Sequence, residues 1–544
     1  MILWIIILVI YFSRKEKWDI KFKKIRKKGK GKALKILFFP QRVGGFIVRA
    51  ILGRTPFSMV VFFILSSLIV SFWWLVKVSL QSKGLDTATN IIRMISWHNT
   101  LGMFFVLFVD YQDYDVEITG ALGKAKFLDG KTLHENGFID KEKGLVLGKI
   151  NGNIVQRPTH KDGNIGICGG SRTGKTASNL IPTILNWQGT GLVIDIKPEL
   201  VKKTSHLKKN NFVLSLNEQK AKYNPLAHLK TVRDVLDMST ILFPIDENVK
   251  EPYFKQSAQN IFSASAWEFK NKKSFGKLCK WLCSTDIQTI VTTLSDSTND
   301  NTKMLISAVS NIKLEQLGSI MNEIRNTLLV YAVDENLQYV TSGSDFSPES
   351  IENNWVYLEI TEDTLSVYGG FISLIITQFV RYCSKRQEYQ EPPILLALDE
   401  FPRLAKMDVL IEGLGTLGSR NVTTMLIFQS LAQIDKKYGK DTTKIIMDNL
   451  LYFVVHNATD TSSQEYFSRK AGNKTEIVKN QSRKEGIGTD QNFSYNQQSV
   501  PLIRPEEFAN LKKPIAFLYQ VGIAELDKSF WFENTEMKKL ILGD

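Results

Sequence analysis

Cysteine is scarce in this 544-residue chain. Cys168, Cys279, Cys283 and Cys383 are too few and too scattered for a disulfide framework. Cys279 and Cys283 would be neighbours on one helix face, yet no histidine or further cysteine lies close in sequence to complete a zinc site. Reduced, partly buried thiols in a reducing compartment are the simpler reading. Compositional extremes are missing too. With 43% apolar and 23% charged residues the chain is neither disordered nor collagen-like, and no internal repeat is apparent. Positive charge spread along the chain is also lacking. The net charge is +14, but residues 14–35 hold twelve Lys or Arg against Glu16 and Asp19. That segment carries +10 and the rest only +4, so the basicity marks one place and is better explained by the apolar segments beside it than by DNA. The length exceeds a single hydrophobic core and calls for two or three domains.

Those apolar segments read as membrane anchors. Residues 56–76 contain no charge and are rich in Phe, Val, Ile and Leu, long enough to span a bilayer core of about 30 Å as a helix. Trp73 and Trp74 near the end are interface anchors. Residues 91–109 form a weaker span, interrupted by Arg93, His98 and Asn99. Topology supports it: the basic segment stays cytoplasmic by the positive-inside rule, and the chain beyond residue 110, whose run Gly169-Gly170-Ser171-Arg172-Thr173-Gly174-Lys175-Thr176 has the pattern of a phosphate-binding loop, needs cytoplasmic nucleotide, so an even number of crossings must separate them. The expectation is a multi-pass cell (inner) membrane protein with residues 77–90 outside and residues 1–110 as the anchor region. Residues 1–12 are apolar but short for a span, and the sequence does not decide their role. Residues 35–52, with Pro40, Arg42 and Arg49, suit an amphipathic piece on the inner surface.

The strongest chemical signal lies beyond the anchors. Gly169-Gly170-Ser171-Arg172-Thr173-Gly174-Lys175-Thr176 stands between a strand candidate at 164–168 and a helical pattern at 175–187, the context a phosphate-binding P-loop requires. Glycines let successive backbone N–H groups face phosphate oxygens, and the helix N-terminus adds a positive dipole end. Lys175 supplies a point charge for the β- and γ-phosphates of ATP, and the Thr176 hydroxyl a ligand for Mg²⁺. A P-loop needs a second acid on a neighbouring strand. The apolar run at 394–398 ends in Asp399 and Glu400. Asp399 is expected in the Mg²⁺ shell and Glu400 beside the attacking water. Gln429 closes another apolar run and could sense the γ-phosphate or cap a helix. Arg420 precedes that run and could be an arginine finger from a neighbouring subunit or a surface charge.

Further apolar runs at 191–196, 355–360, 423–429, 451–456 and 514–521 alternate with helical patterns such as 364–386. That alternation predicts an α/β fold with a mostly parallel sheet covered on both faces. Residues 231–340 break it: they show helical patterning, as at 253–269 and 301–332, punctuated at the entrance by Pro225, Pro244 and Pro252. The expected organisation is a nucleotide-binding domain split into 111–230 and 341–544 around an inserted all-α domain at 231–340, whose task is recognition of substrate or simply added bulk, the first being favoured. Residues 481–498, rich in Asn, Gln, Ser and Gly, read as a mobile loop.

The order of motifs resembles the TraG/TraD-like type IV secretion coupling proteins, the conjugation ATPases. The residues that carry the resemblance are two anchors, 120–127, 144–148, the P-loop, Ile181-Pro182-Thr183-Ile184-Leu185, 193–199, Tyr223-Asn224-Pro225-Leu226, Leu398-Asp399-Glu400-Phe401, Ser419-Arg420-Asn421 and Ile427-Phe428-Gln429-Ser430. The similarity runs from about residue 110 to Trp531. It implies a RecA-like domain assembled as a homo-hexamer around a channel, an all-α domain that helps recognise substrate, Arg420 as the finger in trans and Gln429 as the coupling glutamine. It implies ATP hydrolysis that drives relaxase-bound single-stranded DNA toward the components of a secretion channel in the membrane. Pro198 departs from the pattern, which usually has Gly between Lys197 and Glu199, and removes a backbone N–H there. A secretion ATPase for protein effectors, a double-stranded DNA pump and an ATP-bound receptor without turnover are the competing readings. The helical insertion argues against the pump, and intact Lys175, Asp399, Glu400 and Arg420 argue against the receptor.

Overall fold

The computed structural model describes residues 122–139, 142–245, 252–310, 312–483 and 491–543, with short helical pieces between 68 and 90. Most of the 56–76 and 91–109 segments, the 14–35 basic run and residues 1–12 lie outside the described residues. Among those described, no helix is long and apolar enough to cross a membrane. The chain forms two compact units: Gly123–Lys474 with Val500–Asp544, and Met1–Leu122 with Thr475–Ser499.

In the larger unit the helix Gly130–Glu135 is followed by a hairpin of β1 (Gly144–Ile150) and β2 (Asn153–Pro158), paired antiparallel. Its two-residue turn is Asn151-Gly152, both at positive φ (51° and 84°), the type I′ geometry whose twist matches the strands it joins. The main sheet then collects β3 (Asn164–Cys168), β4 (Thr190–Asp195), β5 (Asn211–Ser215), β6 (Trp355–Glu359), β7 (Ile394–Leu398), β8 (Val422–Phe428) and β9 (Leu450–Val455). All seven are mutually parallel, in the order β9-β3-β8-β7-β4-β6-β5. Beyond a second two-stranded sheet, β10 (Asn473–Arg483) with β11 (Gln491–Pro501), the chain adds β12 (Ile515–Leu518) and β13 (Gly522–Glu525) antiparallel at the β9 edge.

Each buried strand sends alternate side chains to opposite faces. On β7, Ile394, Leu396 and Leu398 join one apolar cluster, while Leu395 and Ala397 join the other. The first cluster is covered by the helix Leu365–Cys383 and the second by Ile181–Asn186, Glu199–Thr204 and the β1–β2 hairpin. A three-layer α/β architecture results, the solution available to a parallel sheet that is apolar on both faces.

The described part of residues 231–340 is a series of helices joined by short connections: Val232–Leu242, Tyr253–Phe269, Phe275–Ser284, Ile287–Ser295, Asp300–Ser310, Leu314–Val333 and Glu335–Val340. Thr231, Ser274, Asp286 and Asp334 accept a backbone N–H at four of these N-termini, each relieving an otherwise unsatisfied donor. The helices do not enclose a core of their own. Ile261, Phe262, Leu278 and Ile324 belong to the same continuous cluster as Leu396 and Phe428 of the sheet. The pattern at 301–332 is two helices: Asp300–Ser310 lies mainly on Tyr253–Phe269, and Leu314–Val333 lies mainly on Phe275–Ser284 while also touching Tyr253–Phe269.

Two expectations are corrected. Of the 481–498 segment, the described parts are strand, in β10 and β11, and not loop. Composition suggested a loop, but pairing satisfies the backbone of a polar segment as well as solvent does. Asp399 also does not follow a strand adjacent to β3. Strand β8 lies between β3 and β7, since it pairs in parallel with both.

Candidate nucleotide-binding site

Strand β3 ends at Cys168 and the chain enters the Gly169–Lys175 loop before turning helical at Thr176. Gly174 has φ +96°, a conformation open to glycine at little cost, and Arg172 sits in the left-handed region at +61°. A Cβ on Gly169 would lie 2.9 Å from both His456 Cβ and Thr173 Oγ1. The loop is therefore shaped by residues that cannot grow side chains. It is braced by the chain just past β9 and from within: the Gly170 N–H donates to Asn457 Oδ1 at 2.7 Å, and Thr173 Oγ1 to the Gly170 carbonyl at 2.9 Å. Below it, Asn179 Nδ2 donates to the Val146 and Leu147 carbonyls, while His456 Nε2 meets Asn179 Oδ1 at 2.7 Å. Burial, with Lys528 and Lys175 nearby, holds His456 down to about 3, so it stays neutral. Asn179, His456 and Asn457 were not singled out from sequence. The only signal was that His456 and Asn457 stand at the end of an apolar run.

The helix after the loop begins as a π-turn over Thr176–Leu180 and becomes α over Ile181–Asn186. Pro182 has no N–H to give the Ser178 carbonyl, and the ladder widens there, with the Ile181 N–H reaching Thr176 O.

Lys175 is 7% exposed. Its ammonium donates to the Gly169 and Gly170 carbonyls, the latter at 2.9 Å. Burial lowers its proton affinity, and Glu400 and Asp399 raise it. These two acids follow β7 and are within electrostatic reach of Lys175 although one strand intervenes. Desolvation, then the neighbouring Glu400 charge, push Asp399 up to about 6, against the pull of Lys175. Glu400 adopts a left-handed backbone, φ +48°, which costs a residue with a Cβ about 1 kcal/mol. Its N–H donates to Asp399 Oδ1 at 3.0 Å. Gln429, one residue past β8, donates Nε2 to both Glu400 carboxylate oxygens at 3.0 Å. The structure thus brings Lys175, Asp399, Glu400 and Gln429 together. Ser171 and Arg172 are exposed at the loop tip, and Thr176 is half-buried at the helix start.

Arg420 is not brought to this group. It ends the turn Gly418–Arg420 before β8, at the opposite end of that strand from Gln429. Seven strand residues at ~3.3 Å each separate them by roughly 23 Å. The turn is fixed from within: Arg386, 3% exposed, forms a bidentate pair with Glu352 at 2.9 and 3.0 Å and donates to the Arg420 and Pro392 carbonyls. The cost of burying this guanidinium is offset by those four bonds.

Two more acids complete the edge. Asp195 ends β4 and pairs in register with Glu359, which ends β6. Glu359 is neutralised by Lys220 at 2.9 Å. The Asp195 carboxylate accepts the Val201 N–H at 2.8 Å, and burial, helped by Glu359 and Asp399, pushes it up to about 7. Pro198 keeps φ −59° and precedes the helix Glu199–Thr204, its turn closed by the Glu199 N–H on the Lys197 carbonyl. The missing donor leaves no gap in the turn.

A glycine cradle of backbone amides, a buried ammonium, a hydroxyl at a helix start and a carboxylate facing them suit the phosphates of a nucleotide with a divalent cation. These features define a P-loop nucleotide-binding protein of RecA-like α/β fold. The solved conjugative coupling protein TrwBdeltaN70 shares that fold: TM-score 0.59 at 15% identity, over 74% of this chain and 92% of that one. Further TrwB structures were determined with the ATP analogue ADPNP and with ADP and Mg²⁺, at TM-scores of 0.57 and 0.56. Each is 14% identical and covers 75% of this chain, and the match takes in 93% and 94% of those chains. In sequence, residues 115–541 match the family described as Type IV secretory system Conjugative DNA transfer; the chain belongs to this family. Protein VirD4 of Rhizobium rhizogenes is 23% identical over 407 residues, 68% of this chain and 58% of that protein. Conjugal transfer protein TraG of Agrobacterium fabrum is 22% identical over 415 residues, 70% and 63% respectively. The chain spans less than two thirds of the length of either relative.

Asp195 gives a pH test. Its folded-state value is raised from 3.8 to about 7, so the folded state binds the extra proton, and stability falls as pH rises from about 4 to 7. Asp195→Asn keeps an acceptor for Val201 and removes that dependence. The melting temperature of the variant relative to the parent should rise between pH 5 and pH 8; a difference independent of pH would show that the carboxyl is not desolvated.

Proposed function

We propose that this chain is a membrane-anchored ATPase that recruits relaxase-bound single-stranded DNA and drives it into a type IV secretion channel during conjugation. The observation that carries the reading is the convergence of Lys175, Asp399, Glu400 and Gln429 at one sheet edge, in a chain whose family is defined by conjugative DNA transfer. The nucleotides held by TrwB support ATP and Mg²⁺ as the ligands. Thr176 and Asp399 would hold the cation, which supplies charge neutralisation at the phosphates. Lys175 leaves its loop carbonyls for the β- and γ-phosphates. Glu400 orients the attacking water and takes its proton. Gln429, bonded to both Glu400 oxygens, links that base to β8, so a change at the γ-phosphate is felt along the strand that follows the Arg420 turn.

Arg420 supports assembly as a homo-hexamer. A finger roughly 23 Å from its own site serves chemistry from a neighbouring subunit. Anchoring rests on the two uncharged or weakly interrupted segments at 56–76 and 91–109 and on the basic run at 14–35.

Turnover, assembly and topology each give a test. Single-stranded DNA should stimulate ATP turnover by the full chain, Lys175→Ala should abolish both turnover and transfer in a mating assay, and Glu400→Gln should bind Mg-ATP while turning over about 10²–10⁴-fold more slowly; wild-type transfer with Lys175→Ala would sink the motor. Arg420→Ala should cost about 10³–10⁵ in the assembled rate and nothing in a monomeric preparation; an equal loss in the monomer would place the arginine in its own chain's site. Reporter fusions after residues 35 and 115 should read cytoplasmic and one at Gly84 outside, and a cytoplasmic reading at Gly84 removes the two-span topology.

A further inference from the structure

We propose that the aromatic pair Phe530–Phe532 is the platform on which the base of the bound nucleotide stacks, and that it accepts adenine and guanine alike. This rests on the reading of the P-loop as a nucleotide site.

The segment after β13 returns to the P-loop from far along the chain. A Cβ on Gly174 would lie 2.9 Å from Phe530 Cε1 and 3.3 Å from Cζ, with Lys528 Cδ at 3.8 Å. Phe530 therefore touches the last residue of the loop before Lys175 and the helix. A nucleotide whose β- and γ-phosphates lie at Lys175 must send its α-phosphate, ribose and base outward past that turn. Packing does not explain the ring. Trp531 between the two phenylalanines is the one that enters the core, 8% exposed, while Phe532 is 47% exposed and Phe530 is half-buried. The two rings are 5.0 Å apart and 16° from parallel, an offset stack that leaves part of each face uncovered. Beside them opens a cleft of about 680 Å³ lined by Lys149, Asp527, Lys528, Phe530, Glu533 and Asn534 among others, within the range of small-molecule sites.

Three polar side chains of that cleft already have partners. Asp527 pairs with Lys513 at 2.8 Å, Glu533 with Lys149 at 3.0 Å, and Asn534 Oδ1 accepts the Met537 N–H at 3.1 Å. Apart from Thr535 and Lys528, whose ammonium lies 6.0 Å from the Phe530 ring centroid, few side chains remain to read the edge of a base, and discrimination between purines needs such groups left unpaired when the wrong base binds. What the cleft offers is a π-surface, and stacking tolerates any base.

The test is equilibrium binding to the full chain of Mg-ATP, Mg-GTP and inorganic tripolyphosphate, the last having phosphates but no base. Phe530→Leu keeps bulk against Gly174 and loses the aromatic face; Phe530→Trp keeps the face. We expect Phe530→Leu to weaken ATP and GTP by similar factors, about 5- to 100-fold, with tripolyphosphate unchanged, and Phe530→Trp to bind nucleotides as the parent does. Unchanged nucleotide affinity in Phe530→Leu overturns the proposal. So does a parallel loss of tripolyphosphate, which would make the ring a wedge that shapes the loop, and so does a more than tenfold difference between the ATP and GTP effects. A parent chain that binds none of the three ligands would instead refute the nucleotide site itself.

Discussion

Seven strands running the same way bring seven carboxyl ends to one edge of the sheet, and the site depends on that parallelism. Lys175 follows β3, Asp399 and Glu400 follow β7, Gln429 follows β8, His456 and Asn457 follow β9, and Asp195 and Glu359 end β4 and β6. No local rule in the chain places these residues together. They span nearly 300 positions and meet because each crossover returns the chain to the start of the next strand. The same constraint sends Arg420 to the other edge, since a residue before β8 cannot also be after it.

Gathering four carboxylates at one edge carries an electrostatic cost. Asp195 and Asp399 are each held well above the ordinary carboxylate range by burial and by neighbouring acids. Lys220 neutralises Glu359, and Lys175 and Lys197 lie close enough to draw Asp399 downward. The edge is therefore poised to accept cationic charge between its acids and the P-loop. Backbone strain has been placed at the same spot: Glu400 is left-handed without being glycine, and Gln429 holds its carboxylate in position.

Much of this was legible from residue order. The strand at 164–168, the helix at 253–269 and the β7 run appear with the bounds their patterns suggested, because an uninterrupted apolar run or a 3.6-residue period is local information. The P-loop was legible because its geometry needs glycine at fixed places. Other features were not. The β10–β11 pairing was hidden by loop-like composition, since a strand's partner satisfies its backbone whatever its side chains are. The single pattern at 301–332 is two helices, which pack mainly on different elements of the insertion. Asn179, His456 and Asn457 were invisible as site residues, being ordinary polar residues whose role lies in what they touch.

The sequence by itself determined the chemistry available: an ammonium and hydroxyl on a glycine loop, two acids after a buried strand, and an α/β alternation that leaves few folds open. Only the tertiary structure decided which of these groups meet. It inserted β8 between the two nucleotide-binding strands, set Gln429 on Glu400, left Arg420 roughly 23 Å away, and laid Phe530, more than 350 residues downstream, against Gly174. The reason is physical. Residue type and local period are written in neighbouring positions, whereas strand order is fixed by how apolar faces are buried across the whole chain.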